Sequence, residues 1–313
     1  MRLTNFFADR WAKNSSQNAP RSSFLYSKKL APYIFISPFI ISLLVLYLYP
    51  LYSAIQMSFQ RVLPGQVFYV GLENYERVFN PVFFRALQNT SIYVLATVLI
   101  LTVFPLILAL ILNHKATRFS NFFRAAIFIP ALTSVVVAGT IFRLVFGESD
   151  QALANQVLGL VGFSSVDWRY GAGSAMFLMV AMASWRWMGV NIIYFLAALQ
   201  TVNQDLTEAA SMDGANGLQR FRHVTLPAIK PIIVFLVTIS IINGFRMFEE
   251  SYVLWENNSP GYIGLTVVRY IYQEGIQNNN IGFGAAVGII LLLIIFIVSI
   301  VQLLLTGAFK KED

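Results

Sequence analysis

Ile289-Ile290-Leu291-Leu292-Leu293-Ile294-Ile295-Phe296 is an apolar run with no polar position in it. A strand with one wet face alternates, and a membrane barrel needs alternating strands of about 10 residues. This run does not alternate. It sits in an interval, Gly282 to Thr306, that holds no Asp, Glu, Lys or Arg. About 20 mostly apolar residues suffice for a helix to cross the hydrocarbon. In lipid the backbone must satisfy its own hydrogen bonds, which leaves the helix as the spanning form once a barrel is excluded.

The composition extends that reading to the whole chain. Apolar residues make up 57% and charged residues 12% of the 313, about half the charge of a soluble domain. The mean hydropathy is +0.64. The chain is therefore read as an all-α, polytopic membrane protein. A net charge of +7 raises the question of nucleic acid, but excess Lys and Arg is what cytoplasmic loops of membrane proteins carry. No nucleic-acid partner is expected, and the membrane lipid is. Cysteine is absent, which removes disulfides and thiolate chemistry. Two histidines, His114 and His223, argue against a His-based metal site. Residues 1–30 carry six Lys/Arg with no apolar core before them, unlike a secretory signal.

Six spans are expected: about Ala31–Ser53, Thr90–Asn113 with a kink at Pro105, Ala125–Phe146 with Pro130 near its start, Ala172–Gln200, Ile232–Leu254, and Gly282–Thr306. Positive charge fixes their direction. The tail 1–30, the loop around His114–Arg124, the loop 201–230 and the tail 308–313 hold 14 Lys/Arg, against five (Arg61, Arg77, Arg85, Arg169, Arg269) in the opposite segments. Both termini and loop 201–230 are thus assigned to the cytoplasm. Residues 31–307 form the six-span transmembrane domain between two short tails, 1–30 and 308–313.

Loop 201–230 has its own pattern. Asp205 and Glu208 have the spacing of a capping box. Leu206, Ala209, Ala210 and Met212 make a small apolar face, Gly214 and Gly217 allow a sharp bend, a second helix is expected over Leu218–Thr225, and Pro227 and Pro231 mark the return to the membrane. An amphipathic linker lying on the bilayer fits the helix pattern alone. The full string is more specific. Glu208-Ala209-Ala210, Gly214, Val224 and Leu226-Pro227 resemble the cytoplasmic loop signature of binding-protein-dependent ABC importer permeases. Val224 stands where isoleucine is usual. Asp213-Gly214-Ala215, Leu226-Pro227-Ala228-Ile229-Lys230-Pro231, Gly71-Leu72-Glu73-Asn74-Tyr75, Asn89-Thr90 and Gly282-Phe283-Gly284-Ala285-Ala286 are similar to the maltose and glycerol-phosphate branch. Phe142-Arg143-Leu144-Val145-Phe146-Gly147, Ser184 to Gly189 and Phe245 to Glu250 resemble the arabinose and arabino-oligosaccharide permeases of Gram-positive bacteria.

That resemblance implies a six-span, type I importer permease in the bacterial plasma membrane, paired with a second related permease. It implies two copies of a cytoplasmic ATPase below and an extracellular, lipid-anchored sugar-binding protein above. Asp205, Leu206, Glu208, Ala209, Ala210, Asp213 and Gly214 would then seat in a groove of the ATPase. The chain shows no phosphate loop of its own, so no cofactor is expected and the chain is not expected to be an enzyme. The alternative is an ion-coupled secondary sugar transporter, which has no use for the loop string.

Charges inside spans are functional candidates. Arg186 lies mid-span between Trp185 and Trp187, with Asn191 a turn on. The fifth span offers Asn243, Arg246, Met247, Glu249 and Glu250. Rings, amides and charges suit sugar hydroxyls and C–H faces, and by family position these two stretches fall near the substrate pocket. Two structural readings compete: Arg246 and Glu250 at i,i+4 spacing pair with each other, or Arg186 pairs with a glutamate of the fifth span or of the partner subunit.

Overall fold

A computed structural model describes residues 30–308, apart from 64, 114–119 and 257–258; the side chains at 120, 121, 123 and 124 are not described. The charges assigned to the two tails and to the loop at 114–124 lie outside the described side chains. The chain forms two compact units, Met1–Gln56 and Met57–Asp313. Most of helix α1 (Ala31–Ser58) belongs to the first; it widens into a π turn at Leu44–Leu48.

The second unit begins with a feature the sequence reading left out. Strands β1 (Gln60–Leu63) and β2 (Gln66–Tyr69) form an antiparallel hairpin, Gln60 opposite Tyr69. Helix α2 (Glu73–Val78) follows. The motif residues here have structural work. Asn74 donates to the carbonyls of Ser58 and Gln60, each at 3.0 Å, and the Tyr75 hydroxyl meets Ser58 Oγ at 2.7 Å. Gly282 packs so close to Gln60 that a Cβ there would stand 1.9 Å from its carbonyl oxygen.

Among the described residues, five helices are long and apolar enough to cross a membrane, six if one bent pair counts as a span. Besides α1 these are α3 (Pro81–Asn113), α7 (Ala172–Gln200), α9 (Gly217–Phe245) and α12 (Ile281–Leu305). Large apolar side chains lie exposed along them, among them Leu95, Leu99, Phe104 and Phe296. That pattern is costly in water and natural where the surrounding solvent is hydrocarbon.

Three expected spans are redrawn. The third is not one rod. Helix α4 (Ser120–Leu132) and α5 (Val135–Val145) meet at 105° across Thr133-Ser134. Ser134 starts α5 as its N-cap, accepting from the Val137 amide at 3.3 Å, and a capped start is a new helix rather than a kink at Pro130. The fifth starts earlier and ends sooner than expected. Helix α9 begins at Gly217, passes a π turn at Phe221–Thr225, absorbs Pro227 and Pro231, and stops at Phe245. A separate short helix, α10 (Glu249–Leu254), follows. The second span gains two turns at its start, beginning at Pro81 rather than Thr90.

Short elements complete the unit: α6 (Leu153–Leu160) between α5 and α7, α8 (Gln204–Met212) between α7 and α9, and α11 (Val267–Tyr272) before α12. Asn89 donates to the carbonyls of Tyr262 (2.7 Å) and Leu265 (3.0 Å), and Thr90 Oγ1 accepts from the Val267 amide at 3.0 Å. The Asn-Thr pair thus fastens the segment entering α11 to α3. Two cores result. One, around Phe83, Tyr93, Leu178, Met182, Phe245 and Leu254, lies toward α10 and α11; the other, around Ala109, Ile192, Phe195, Ile229 and Leu236, lies toward α8.

Candidate functional site

Two groups of residues carry the functional expectations, and they sit at different levels. Arg186 is 14 residues from the end of α7 at Gln200, about 21 Å of helix.

The first group is α8 with its turn. Its N-cap is Asn203, whose Oδ1 accepts from the Asp205 amide at 2.8 Å. Asp205 is therefore the second helical residue, and the expected capping box on Asp205 and Glu208 is absent. The capping box lies at the next helix start. There Asn216 Oδ1 accepts from the Gln219 amide at 2.9 Å, and Gln219 Oε1 accepts from the Asn216 amide at 2.8 Å. At its other end α8 closes with a Schellman motif. The Ala215 amide bonds the Ala210 carbonyl and the Gly214 amide bonds that of Ser211. Gly214 sits at φ +80°, in the left-handed region the motif requires and glycine enters without penalty.

No residue of α8 is buried. Leu206 and Met212 are exposed, Met212 at 88%. The other side of the helix faces a cleft of about 660 Å³. Gln204, Thr207 and Glu208 line it, opposite Leu110 and Asn113 of α3, Leu199 and Gln200 of α7, and Thr225 of α9. Glu208 thus looks onto the bundle side of the stub, while Leu206, Ala209 and Met212 belong to the open side.

The second group surrounds Arg186. This side chain is buried, and its Nη1 donates to Glu250 Oε1 at 3.2 Å and Glu249 Oε2 at 3.4 Å. Its guanidinium lies 5.5 Å from the Trp187 ring centroid, a cation–π distance. Its Nε has no partner among the described residues. The i,i+4 pairing of Arg246 with Glu250 does not form. The helix breaks between Phe245 and Glu249, so the spacing no longer places the two on one face. Arg246 is exposed, with no ion pair among the described residues.

Asn191 and Met247 are accounted for by structure. Asn191 Nδ2 donates to the Leu101 carbonyl at 2.7 Å. That carbonyl is the one residue 105 would bond in an unbroken helix, and residue 105 is a proline, which has no N–H to give. Asn191 of α7 supplies the missing donor inside the bundle. Met247 is 4% exposed and packs in the core. Trp185 rests against Phe142 at 5.7 Å, half-exposed like Trp187. Asn243 is exposed. The surface left open by this geometry is Trp185, Trp187, Asn243, Arg246 and the Glu249 carboxylate.

Toward α5 and α10 the loops are bound by ion pairs. Arg143 Nη1 meets Glu256 Oε1 at 2.7 Å, and Arg169 Nε donates to Glu148. The Arg169 guanidinium holds the Glu148 carboxyl below the ordinary range. Arg269 is buried and donates to the carbonyls of Ser251 and Trp255 at the end of α10, where a cation suits the helix dipole. Its desolvation lowers its own pKa.

Comparison with known proteins agrees with this layout. A family model described as binding-protein-dependent transport system inner membrane component matches residues 102–311. The chain is similar to the arabinooligosaccharides transport system permease protein of Halalkalibacterium halodurans, 61% identical over 93% of this chain and 92% of the relative. It is similar to the protein of the same description in Bacillus subtilis, 57% identical over 92% of each. Among solved structures it resembles a chain of a bacterial ABC transporter involved in the import of the acidic polysaccharide alginate. The TM-score is 0.79 at 23% identity, covering 90% of this chain and 96% of that one; this is a likeness of fold.

Proposed function

This chain belongs to the binding-protein-dependent transport system inner membrane components, and from that premise we propose that it is the permease subunit of an ATP-driven importer of arabino-oligosaccharides. It is a cell-membrane protein. The observation that carries the substrate class is the 61% identity over 93% of the chain to an arabinooligosaccharide permease. In this reading an external, lipid-anchored binding protein delivers the sugar, and a second related permease completes the channel. Two ATPase subunits hydrolyse ATP, and this chain catalyses nothing and needs no cofactor.

The absence of any buried residue in α8 supports the coupling part. A helix of nine residues is too short to be stable by itself in water, and here it buries none of its side chains against its own chain. Its open side, with Leu206, Ala209 and Met212, is what a partner groove would cover. The sugar surface is proposed at Trp185, Trp187, Asn243 and Arg246, beside the Arg186 ion pairs.

The test is uptake of labelled arabino-oligosaccharide by cells producing the complete transporter. Glu208→Gln and Gly214→Pro should each reduce uptake at unchanged membrane level of the chain. Uptake that survives both, or that collapses with an ionophore while ATP is maintained, refutes the proposal.

A further inference from the structure

Helix α6 has two unlike sides. Asn155, on one of them, is buried and ties the surrounding segment together. Its Nδ2 donates to the carbonyls of Gly147, Ser149 and Val166 at 3.3, 3.1 and 3.3 Å. Its Oδ1 accepts from the Val166 amide at 3.1 Å and from Trp168 Nε1 at 2.8 Å. The other side is apolar and open. Leu153, Val157 and Leu160 are exposed, Leu160 at 88%, and their i, i+4, i+7 spacing is that of one helix face. The helix closes with a Schellman turn. The Phe163 amide bonds the Leu158 carbonyl and the Gly162 amide that of Gly159, with Gly162 at φ +86°, the left-handed position of the motif. Val161 and Phe163, in that turn, are exposed too. No Asp, Glu, Lys or Arg occurs from 151 to 166.

The depth of this face follows from α7. Its Gln200 end leads straight into α8, whose exposed Asp205 and Glu208 keep that end out of hydrocarbon. About 20 residues of helix cross the hydrocarbon, so its far edge falls near Ala181. Phe177 lies a turn beyond, about 6 Å. Phe177 packs with Trp168 at 5.8 Å, and Trp168 meets Phe146 edge-on at 5.2 Å. The cluster therefore sits at headgroup level, where Trp concentrates, and Trp168 is the ring that Asn155 of α6 holds. Helix α6 also packs on α5, whose Val137, Ile141 and Leu144 form an exposed apolar stripe like those of the spans. A soluble partner that comes and goes would leave the α6 face in water for part of each cycle and find no charge on it to steer by. A bilayer covers it throughout.

We propose that α6 and its closing turn are an interfacial foot: Leu153, Val157, Leu160, Val161 and Phe163 seat in the lipid headgroup layer at the end of the bundle opposite α8. The foot concerns the membrane and not the cargo, so it stands whichever solute is carried. The chain has no cysteine, and Leu160→Cys gives it a single labelling site. The experiment attaches a nitroxide there in the complete transporter, reconstituted in phosphatidylglycerol–phosphatidylethanolamine vesicles, with the unaltered transporter labelled as the blank. Power saturation reads collisions with oxygen, which concentrates in lipid, and with a water-soluble nickel chelate. Oxygen collisions exceeding those of the chelate are the expected result. Chelate collisions exceeding those of oxygen leave the face in water and overturn the foot. Shielding from both shows a protein cover, the second permease or the binding protein, and overturns it as well. Should the variant fail to assemble, phosphatidylcholine with a diazirine at the start of one acyl chain is photolysed with the unaltered transporter. Adducts within 153–163 support the foot; adducts on α12 with none there overturn it.

Discussion

Replacing Asn191 by leucine tests whether this residue serves the sugar or the helix opposite. Its amide donates to the Leu101 carbonyl at 2.7 Å, and the side chain is 8% exposed. Leucine keeps the volume and removes the donor, so the carbonyl beneath Pro105 is orphaned. An unpaired buried acceptor costs about 1–3 kcal/mol, and hydrogen bonds measured between membrane helices reach at most about 1.7. With Pro105 unable to give that carbonyl the usual helical N–H, the expected cost is about 1.5 kcal/mol. The same substitution made on a Pro105→Ala background should cost under about 0.5 kcal/mol, because an alanine at that position restores the intrahelical donor. The coupling of about 1 kcal/mol, roughly fivefold in an unfolding equilibrium, is read from denaturant titrations of the four purified chains in mixed micelles. Equal cost in both backgrounds refutes the argument. A sugar contact at Asn191 predicts instead that uptake falls in both backgrounds while stability stays put.

The remaining expectations concern other joints. Gly214→Ala places a Cβ at φ +80° and should weaken the α8 turn by about 1 kcal/mol, Gly214→Asn by less; coupled ATPase activity should fall in that order. Arg186→Met strands two carboxylates, one of them buried, and should cost about 3–5 kcal/mol, with Glu250→Leu recovering part of it in the double variant when folded yield in detergent is compared. Glu148 is held in its charged form by Arg169. A lowered folded pKa gives stability that is present above the unfolded value, about 4.3, and is lost as pH falls through the folded one. Glu148→Gln should flatten the acid side of a thermal-midpoint profile by less than about 1 kcal/mol, the pair being partly exposed. Gly282→Ala must displace the Gln60 backbone and should raise protease cleavage at 60–69; resistance equal to that of the unaltered chain disproves the close contact.

The spans were legible because lipid imposes one rule on every segment, and uncharged intervals follow it. What stayed hidden was pairing across sequence distance. Nothing near Asn191 announces Pro105, and nothing near Arg186 says that Glu250 turns toward it once α9 stops at Phe245. The break at Thr133-Ser134 had a local signal in Ser134 as a helix-capping residue, overshadowed by Pro130. Gly65, at φ +76°, marks the hairpin turn, but strands of four residues are too short for alternation to show. In the loop at 201–230 Gly214 was placed correctly by its conformational freedom, whereas Asn203 was passed over for Asp205, two residues on, whose spacing to Glu208 looked better.

Helix α9 has one more consequence. It runs for 29 residues from the turn beside α8 to Asn243 and Phe245, about 43 Å at 1.5 Å per residue. A rod of that length multiplies small rotations. Tilting its end beside α8 by ten degrees sweeps the far tip through roughly 7 Å, more than the width of a sugar ring. The π turn and the two prolines lie near the short arm, which leaves the long arm stiff. A partner that gripped α8 would therefore have its hand on the near end of a pointer whose tip lies beside Arg246.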